Sequence, residues 1–366
     1  MGLEVFPSRI ITRYIAKMFA VRIIAVVLLL VLVLQALDLL SESGKILAPP
    51  GNGQGELLVY ASMRIPQLIS RFLPYSVLLA TIITLMTLNQ NSEVVALKAA
   101  GLSATQILAP LFLVALAISL ATFVFNERIV TRSSGTLKAW QAVEYGPLPK
   151  TSSSRTNVWL QDGANILFAS SVEGRDAQTR LAGVSWYRRN PTGMIAEIVR
   201  SPRATYARPG WRFEAPISFD VQSARRTQTP GSRVYAAGVT PAQVLIRKTD
   251  ADAEALPMLS RSIEAIRAAG SRTSELEGKW WHKISGPLSA LLMPLLGAVA
   301  AFGLARSGQL FLRAVIGMAL GFAYFVVDNA ALAVGSFGGY PPMLAAWGPF
   351  FLFLLIGATV LIRTEE

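Results

Sequence analysis

No cysteine occurs in the 366 residues, and His282 is the sole histidine. Disulfide frameworks, thiolate nucleophiles and Cys/His zinc sites are therefore excluded by composition. Charge is scarce as well: 15% of residues are Asp, Glu, Lys or Arg, whereas 52% are hydrophobic and the mean hydropathy is +0.46. Soluble globular chains of this length are more charged and less apolar, so the composition is that of an integral membrane protein. Phosphate-cradling chemistry is missing too. There is no GxxxxGK[ST] loop, and Gly44-Lys45 and Gly278-Lys279 lack both the upstream glycine and the following Ser or Thr. Nor is there a GxSxG elbow, an HExxH helix or a nucleophile with a base, since His282 follows Trp280 and Trp281 and reads as an interfacial residue. No catalytic residue, metal or cofactor is expected in this chain.

What is present is a set of six apolar runs: Ile23 to Leu34 and on toward Leu40, Phe72 to Leu88, Leu102 to Phe125, Ile284 to Leu304, Leu310 to Val334 and Met343 to Ile362. Each reads as a bilayer span. Arg9, Arg13, Lys17 and Arg22 precede the first, and no small-residue cleavage site follows it, so it reads as an uncleaved span. Lys98, Arg306, Arg313 and Arg363 fall on the side of that basic cluster, whereas the stretch from Asp328 to Trp347 has no Lys or Arg. The positive-inside rule then makes both termini cytoplasmic and puts the Ser41 to Arg71 loop and the large polar insert outside, in the periplasm of a bacterium. The net charge is +12 and the pI near 10.2. A basic outer domain does not meet cytoplasmic nucleic acid, which leaves anionic lipid or glycolipid as its expected partner.

Within the insert, short alternating runs such as Val158-Trp159-Leu160, Ile166 to Ala169, Val184 to Tyr187, Ile195 to Val199, Ala204 to Tyr206, Trp211 to Phe213 and Ile217 to Val221 are separated by Asp162-Gly163, Glu173-Gly174, Asn190 to Gly193 and Pro209-Gly210. That pattern predicts an antiparallel β domain, a sandwich or an open jelly roll, whose aromatics either fill a core or line a lipid-holding groove. After Pro257, Leu259, Ile263 and Ile266 share one helical face, ended by Gly270; a second helix starts near Ser274 and runs through Trp280 and Trp281 into the fourth span. The expected fold is an α-helical membrane protein with six transmembrane helices plus an extracytoplasmic antiparallel β-jelly-roll domain. Its expected boundaries are 1–132, 133–255 and 256–366.

Between the second and third spans, Asn91 or Ser92 can cap a helix whose start favours Glu93 and whose end favours Lys98, with Gly101 as a left-handed stop. Val94, Val95 and Leu97 give this segment, about 92–100, an apolar surface. It is either a hairpin on the lipid surface or a docking helix for a cytoplasmic motor subunit.

The segment Ser92-Glu93-Val94-Val95-Ala96-Leu97-Lys98-Ala99-Ala100-Gly101 resembles the coupling-helix signature of the LptF/LptG permease family. Arg13-Tyr14-Ile15, Lys283-Ile284-Ser285-Gly286-Pro287-Leu288, Phe325-Val326-Val327-Asp328-Asn329 and Gly339-Tyr340-Pro341-Pro342 continue the likeness in order, closer to the LptG branch than to the LptF branch. The resemblance implies a permease subunit of an ABC transporter that extracts lipopolysaccharide from the bacterial inner membrane for outer membrane biogenesis. It implies as partners an LptF-like permease, an LptB-like ATPase dimer that binds ATP and magnesium and takes the coupling helix with Glu93, an LptC-like membrane protein and an LptA-like periplasmic bridge, with a β-jelly-roll that passes the lipid on.

Cations near the outer ends of the spans are candidates for lipid phosphates: Arg64 and Arg71 before the second span, Arg128 and Arg132 after the third, then Lys138. Each is otherwise an interfacial anchor. Where some family members carry a lysine near the outer end of the first span, this chain has Gln35, Asp38 and only later Lys45. Asp38, Glu127 and Asp328 are carboxylates in or near spans, which leaves an ion-coupled lipid transporter as the alternative, with a non-transporting membrane scaffold as a third reading.

Overall fold

The computed structural model describes residues 6–146, 155–173, 179–228, 231–240, 250–268, 272–302 and 310–365. Gly174, Gly270, Leu304 and Arg306 lie outside them. The helices are α1 (Arg9–Leu47), α2 (Gln54–Gln90), α3 (Glu93–Ala99), α4 (Ala104–Phe125), a π turn (Asn126–Val130), α5 (Thr131–Ala142), α6 (Leu256–Ala268), α7 (Ser274–Leu288), a 3₁₀ turn (Ser289–Leu291), α8 (Leu292–Phe302), α9 (Leu310–Ser336) and α10 (Pro342–Glu365). Residues 1–146 and 250–366 form one compact unit and Pro147–Thr249 another.

Among the described residues, five helical rods are long and apolar enough to cross a membrane: α1, α2, the rod from Ala104 to Gln141, α9 and α10. The fourth expected span differs. Its helical path from Ser274 to Phe302, where this stretch of described residues ends, is interrupted by the 3₁₀ turn, so among the described residues neither α7 nor α8 has the length alone. Pro287 and Pro294 explain the break, because each removes an N–H from the i→i−4 ladder on either side of the turn. The Ser41 to Arg71 loop is also corrected: helix continues to Leu47 and resumes at Gln54, leaving 48–53 as the connection. There Gly53 N donates to Glu56 Oε2 at 2.7 Å, satisfying the chain at the start of α2.

α2 is the centre of the helical unit, in contact with α1, α3, α4, α5, α8 and α9. Val77, Leu78, Ala80, Ile82, Leu85 and Leu88 are buried along it, and the Thr81 hydroxyl donates to the Val77 carbonyl at 2.7 Å. Between helices in lipid, packing rather than water expulsion drives association, so small residues set how closely backbones approach. A Cβ added to Gly297 of α8 would sit 2.6 Å from Thr81 Cγ2, and one added to Gly321 of α9 would sit 2.1 Å from Leu78 Cδ2. The rings of Tyr75 and Phe325 stack beside this contact at 3.8 Å.

Among the described residues the second unit is one antiparallel sheet of eight strands: β1 (Arg155–Asp162), β2 (Asn165–Glu173), β3 (Arg180–Arg189), β4 (Ile195–Ala207), β5 (Gly210–Glu214), β6 (Ile217–Asp220), β7 (Arg225–Gln228) and β8 (Arg233–Tyr235). The order is β1-β2-β3-β4-β5-β8, with β6 and β7 branching from β4. The sheet curls. Leu167 and Val184 from one side share a core with Trp211, Phe213, Ala236 and Val239 from the other. Asp162 at the end of β1 accepts from Trp186 Nε1 at 2.9 Å and from the Gly238 N–H beyond β8 at 2.8 Å, which ties the two edges together.

Replacing Gly297 by Val should destabilise the helical unit by about 1–3 kcal/mol, the usual cost of overpacking. Thermal unfolding of the purified protein in mild detergent checks this, and an unchanged midpoint would show that α8 has room to move away from Thr81.

Candidate functional site

The connection between α2 and α4 is built by local rules. Gly101 has φ +85°, its N–H bonds to the Lys98 carbonyl at 3.0 Å, and the Leu102 N–H reaches the Leu97 carbonyl at 3.1 Å. This pair of bonds is the Schellman stop, and it ends α3 after two turns. Ser103 then opens α4 with reciprocal bonds to Gln106 of 3.2 and 3.0 Å. The other end differs from expectation: Ser92 occupies the N-cap position in the left-handed region, φ 60°, and its side chain makes no capping bond. Asn91 does not cap through its side chain either, which donates to Glu93 Oε1 at 3.2 Å.

The apolar residues of α3 divide between two faces. Val94 is buried and Leu97 packs beside it on the core of the helical unit, whereas Val95 is 63% exposed. Ser92 and Lys98 are exposed and Glu93 is half-buried. Glu93 Oε1 also accepts from the Tyr14 hydroxyl at 3.2 Å. Sequence reasoning missed this tie, because residues 79 apart carry no local signal of contact.

The cations near the other end of the rods do not form one cluster. Arg64 lies inside α2 and grips Asp38 of α1 with two bonds, Nε to Oδ2 at 3.1 Å and Nη2 to Oδ1 at 3.0 Å, while the Tyr60 hydroxyl donates to Oδ2 at 2.6 Å. Lys138 in α5 pairs with Asp250 and lies 3.6 Å from Asp252. Burial works against the charge of Asp250, but the Lys138 bond and charge, with the Asp252 N–H and the charge of Lys279, together outweigh it and hold the carboxyl below the usual carboxylate range. Arg71, Arg128 and Arg132 are exposed and form no ion pair among the described residues. Lys45 is paired with Glu42 at 2.8 Å, and the amide of the buried Gln35 has no partner among the described residues.

Of the remaining carboxylates, Glu127 is held by a cation, whereas Asp328 has only His282 near it and one carboxyl oxygen without a partner among the described residues. Glu127, in the π turn, accepts from Lys283 of α7 at 3.1 Å and from the Leu256 N–H, the first residue of α6, at 2.7 Å. One side chain thus joins the third rod to both helices that follow the insert. Asp328 is buried, with Oδ2 3.8 Å from His282 Nε2, so His282 faces a carboxylate rather than only an interface. Trp280 likewise does more than anchor: its Nε1 donates to Ser260 Oγ at 3.0 Å, pinning α7 to α6.

Two predictions follow from these ties. Arg64→Ala should cost about 2 kcal/mol, because a half-buried carboxylate loses its charge-assisted bonds, and adding Asp38→Asn should recover most of it. A double-mutant cycle on unfolding reads the coupling, and additive effects would reject it. Asp250→Asn should cost no more than about 1 kcal/mol at neutral pH, given its partial exposure. A lowered carboxylate stabilises above its unfolded pKa of about 3.9 and loses that stabilisation as pH falls further, so the difference from the parent should vanish in acid melts.

The family described as lipopolysaccharide export system permease LptF/LptG matches residues 13–363. Among curated relatives, the lipopolysaccharide export system permease protein LptG of Escherichia coli K12 is 24% identical over 368 aligned residues, covering 98% of this chain and 99% of that protein. The LptG protein of Haemophilus influenzae is 23% identical over 314 residues, covering 85% and 87% of the two chains. The match runs through both helical halves and the β unit between them, and the chain belongs to the LptF/LptG family of permeases.

Proposed function

We propose that this chain is one of two permease subunits of an exporter that lifts lipopolysaccharide out of the inner membrane, powered by ATP hydrolysis in a partner. The family match over residues 13–363 carries the reading. An LptF-like subunit supplies the other half of a lipid cavity. Both termini are cytoplasmic, and the β unit is periplasmic, where it hands the lipid toward LptC-like and LptA-like proteins.

α3 is the surface on which an LptB-like ATPase dimer bears. Its inner side, Val94 and Leu97, is seated on the helical unit, and its outer side offers Val95. Glu93 is fixed by Tyr14 and Asn91 through Oε1, which leaves its second oxygen directed to a partner. The close Schellman stop at Gly101 makes α3 a short lever without slack, so a push on it reaches α2 and α4 directly.

Arg71, Arg128 and Arg132 are the cations free to meet lipid A phosphates, whereas Arg64 and Lys138 spend their charge on Asp38 and Asp250. Asp38 and Glu127 are neutralised by cations of this chain, which favours export driven by the partner ATPase over an ion-coupled cycle.

Glu93→Lys should abolish copurification of the ATPase while membrane insertion persists, and unchanged copurification would remove α3 as the docking surface. Arg128→Glu with Arg132→Glu should lower lipopolysaccharide capture in a photocrosslinking assay several-fold, whereas normal capture would make both residues interfacial anchors.

A further inference from the structure

Both faces of the β sheet carry apolar residues, and among the described residues one face has no packing partner within its unit. Leu167, Val184 and Val199 point to the core. Strand alternation puts their neighbours on the opposite face. There Trp159 stands opposite Phe168, Tyr187 stands opposite Ile198, and Ile198 stands opposite Phe219. Trp159 is 60% exposed and Phe219 38%. The Trp159 ring lies 4.6 Å from Phe168 and stacks on Tyr187 at 5.9 Å. An antiparallel sheet with one solvated face normally carries polar residues there, so an aromatic row over four strands points to an occupant.

The charge on this face identifies the occupant. Arg200 lies opposite Ile217, and Arg226 opposite Phe219, both exposed and neither ion-paired among the described residues. No carboxylate occupies the register positions that link Trp159 to Ile217 or Ile166 to Arg226. Over 147–249 the sequence has 15 Lys and Arg against 6 Asp and Glu, a surplus of nine out of the net +12. An exposed Trp and a half-buried Tyr beside Arg unpaired among the described residues is the composition of a membrane–water interface, where rings seat at headgroup depth and guanidinium groups bond phosphates. The helical unit on both sides of the insert in sequence is membrane-spanning, so a bilayer is always at high effective concentration for this face.

We infer that the Trp159, Phe168, Tyr187 and Phe219 face, with Arg200 and Arg226, is a reversible docking surface for an anionic phospholipid bilayer. Docking holds the β unit against the membrane until cargo or a protein partner draws it away. This rests on membrane anchoring and an outer β unit, and not on the identity of the cargo.

The absence of cysteine allows a clean test on the full chain in nanodiscs. Phe219→Cys carries an apolar fluorophore in place of the ring, and Arg233→Cys, exposed in β8, carries it as the control. With brominated lipid in discs of phosphatidylcholine and phosphatidylglycerol, the label at 219 should be quenched and the label at 233 should not. Arg200→Gln with Arg226→Gln, both exposed and harmless to folding, should weaken docking by about fivefold per arginine. Roughly 1 M salt, which shortens the Debye length to about 3 Å, should act in the same direction. Equal quenching at 219 and 233, or quenching that is the same without phosphatidylglycerol, overturns the proposal. So does shielding of the 219 label from aqueous iodide with no quenching by brominated lipid, which would mean a protein partner.

Discussion

The helical unit depends on the close approach of backbones at α2. Gly297 and Gly321 come from helices that follow the insert, yet both rest on side chains of the helix before it, Thr81 and Leu78. Two segments separated by a complete β unit thereby become one body, and that contact is made by the absence of side chains. In lipid, where tails solvate Leu as well as Leu does, such fit replaces the hydrophobic effect as the cohesive term. The rest of the helical architecture follows: α1 lays a single buried stripe of Ile15, Phe19, Ile23, Val27 and Val31 along the unit and leaves its other faces exposed.

A second layer of order consists of ionic ties at the ends of the rods. Asp38 with Arg64, Lys138 with Asp250 and Glu127 with Lys283 each close a gap that hydrophobic packing leaves open. Glu127 is the most connected, because the Leu256 N–H it accepts is one that α6 cannot satisfy within itself. The chain leaves the helical unit after α5 and returns at Asp250, and both ends of the detour are fastened to the same rod.

These layers were unequally legible in the sequence. Apolar runs, strand alternation and the Gly101 stop rest on local physics, and they predicted the membrane class, the β unit and α3. The lengths of α1 and α2 were not legible, because the polar stretch from Ser41 and residues such as Arg64 read as loop until the partner across the helix pair, Asp38 for Arg64, is known. The same holds for Glu127 and Lys283, whose contact spans 156 positions. Val94 and Val95 are alike in sequence, and only the seating of α3 buries one and exposes the other. The break in the fourth span was legible in Pro287 and Pro294 but was masked by the apolar run around them.

The π turn at Asn126–Val130 has a geometric consequence for everything beyond it. An α-helix advances about 100° per residue, so one residue added or removed there leaves the rod nearly the same length but rotates α5 by more than a quarter circle. Leu137 and Trp140 now meet Ile46, Tyr60 and Tyr145 in a buried cluster, and Lys138 faces Asp250. The π turn sets the azimuth at which the rod presents these side chains, like the clocking of a threaded joint. The sequence of α5 is matched to that angle, and the point where the chain departs for the β unit inherits it.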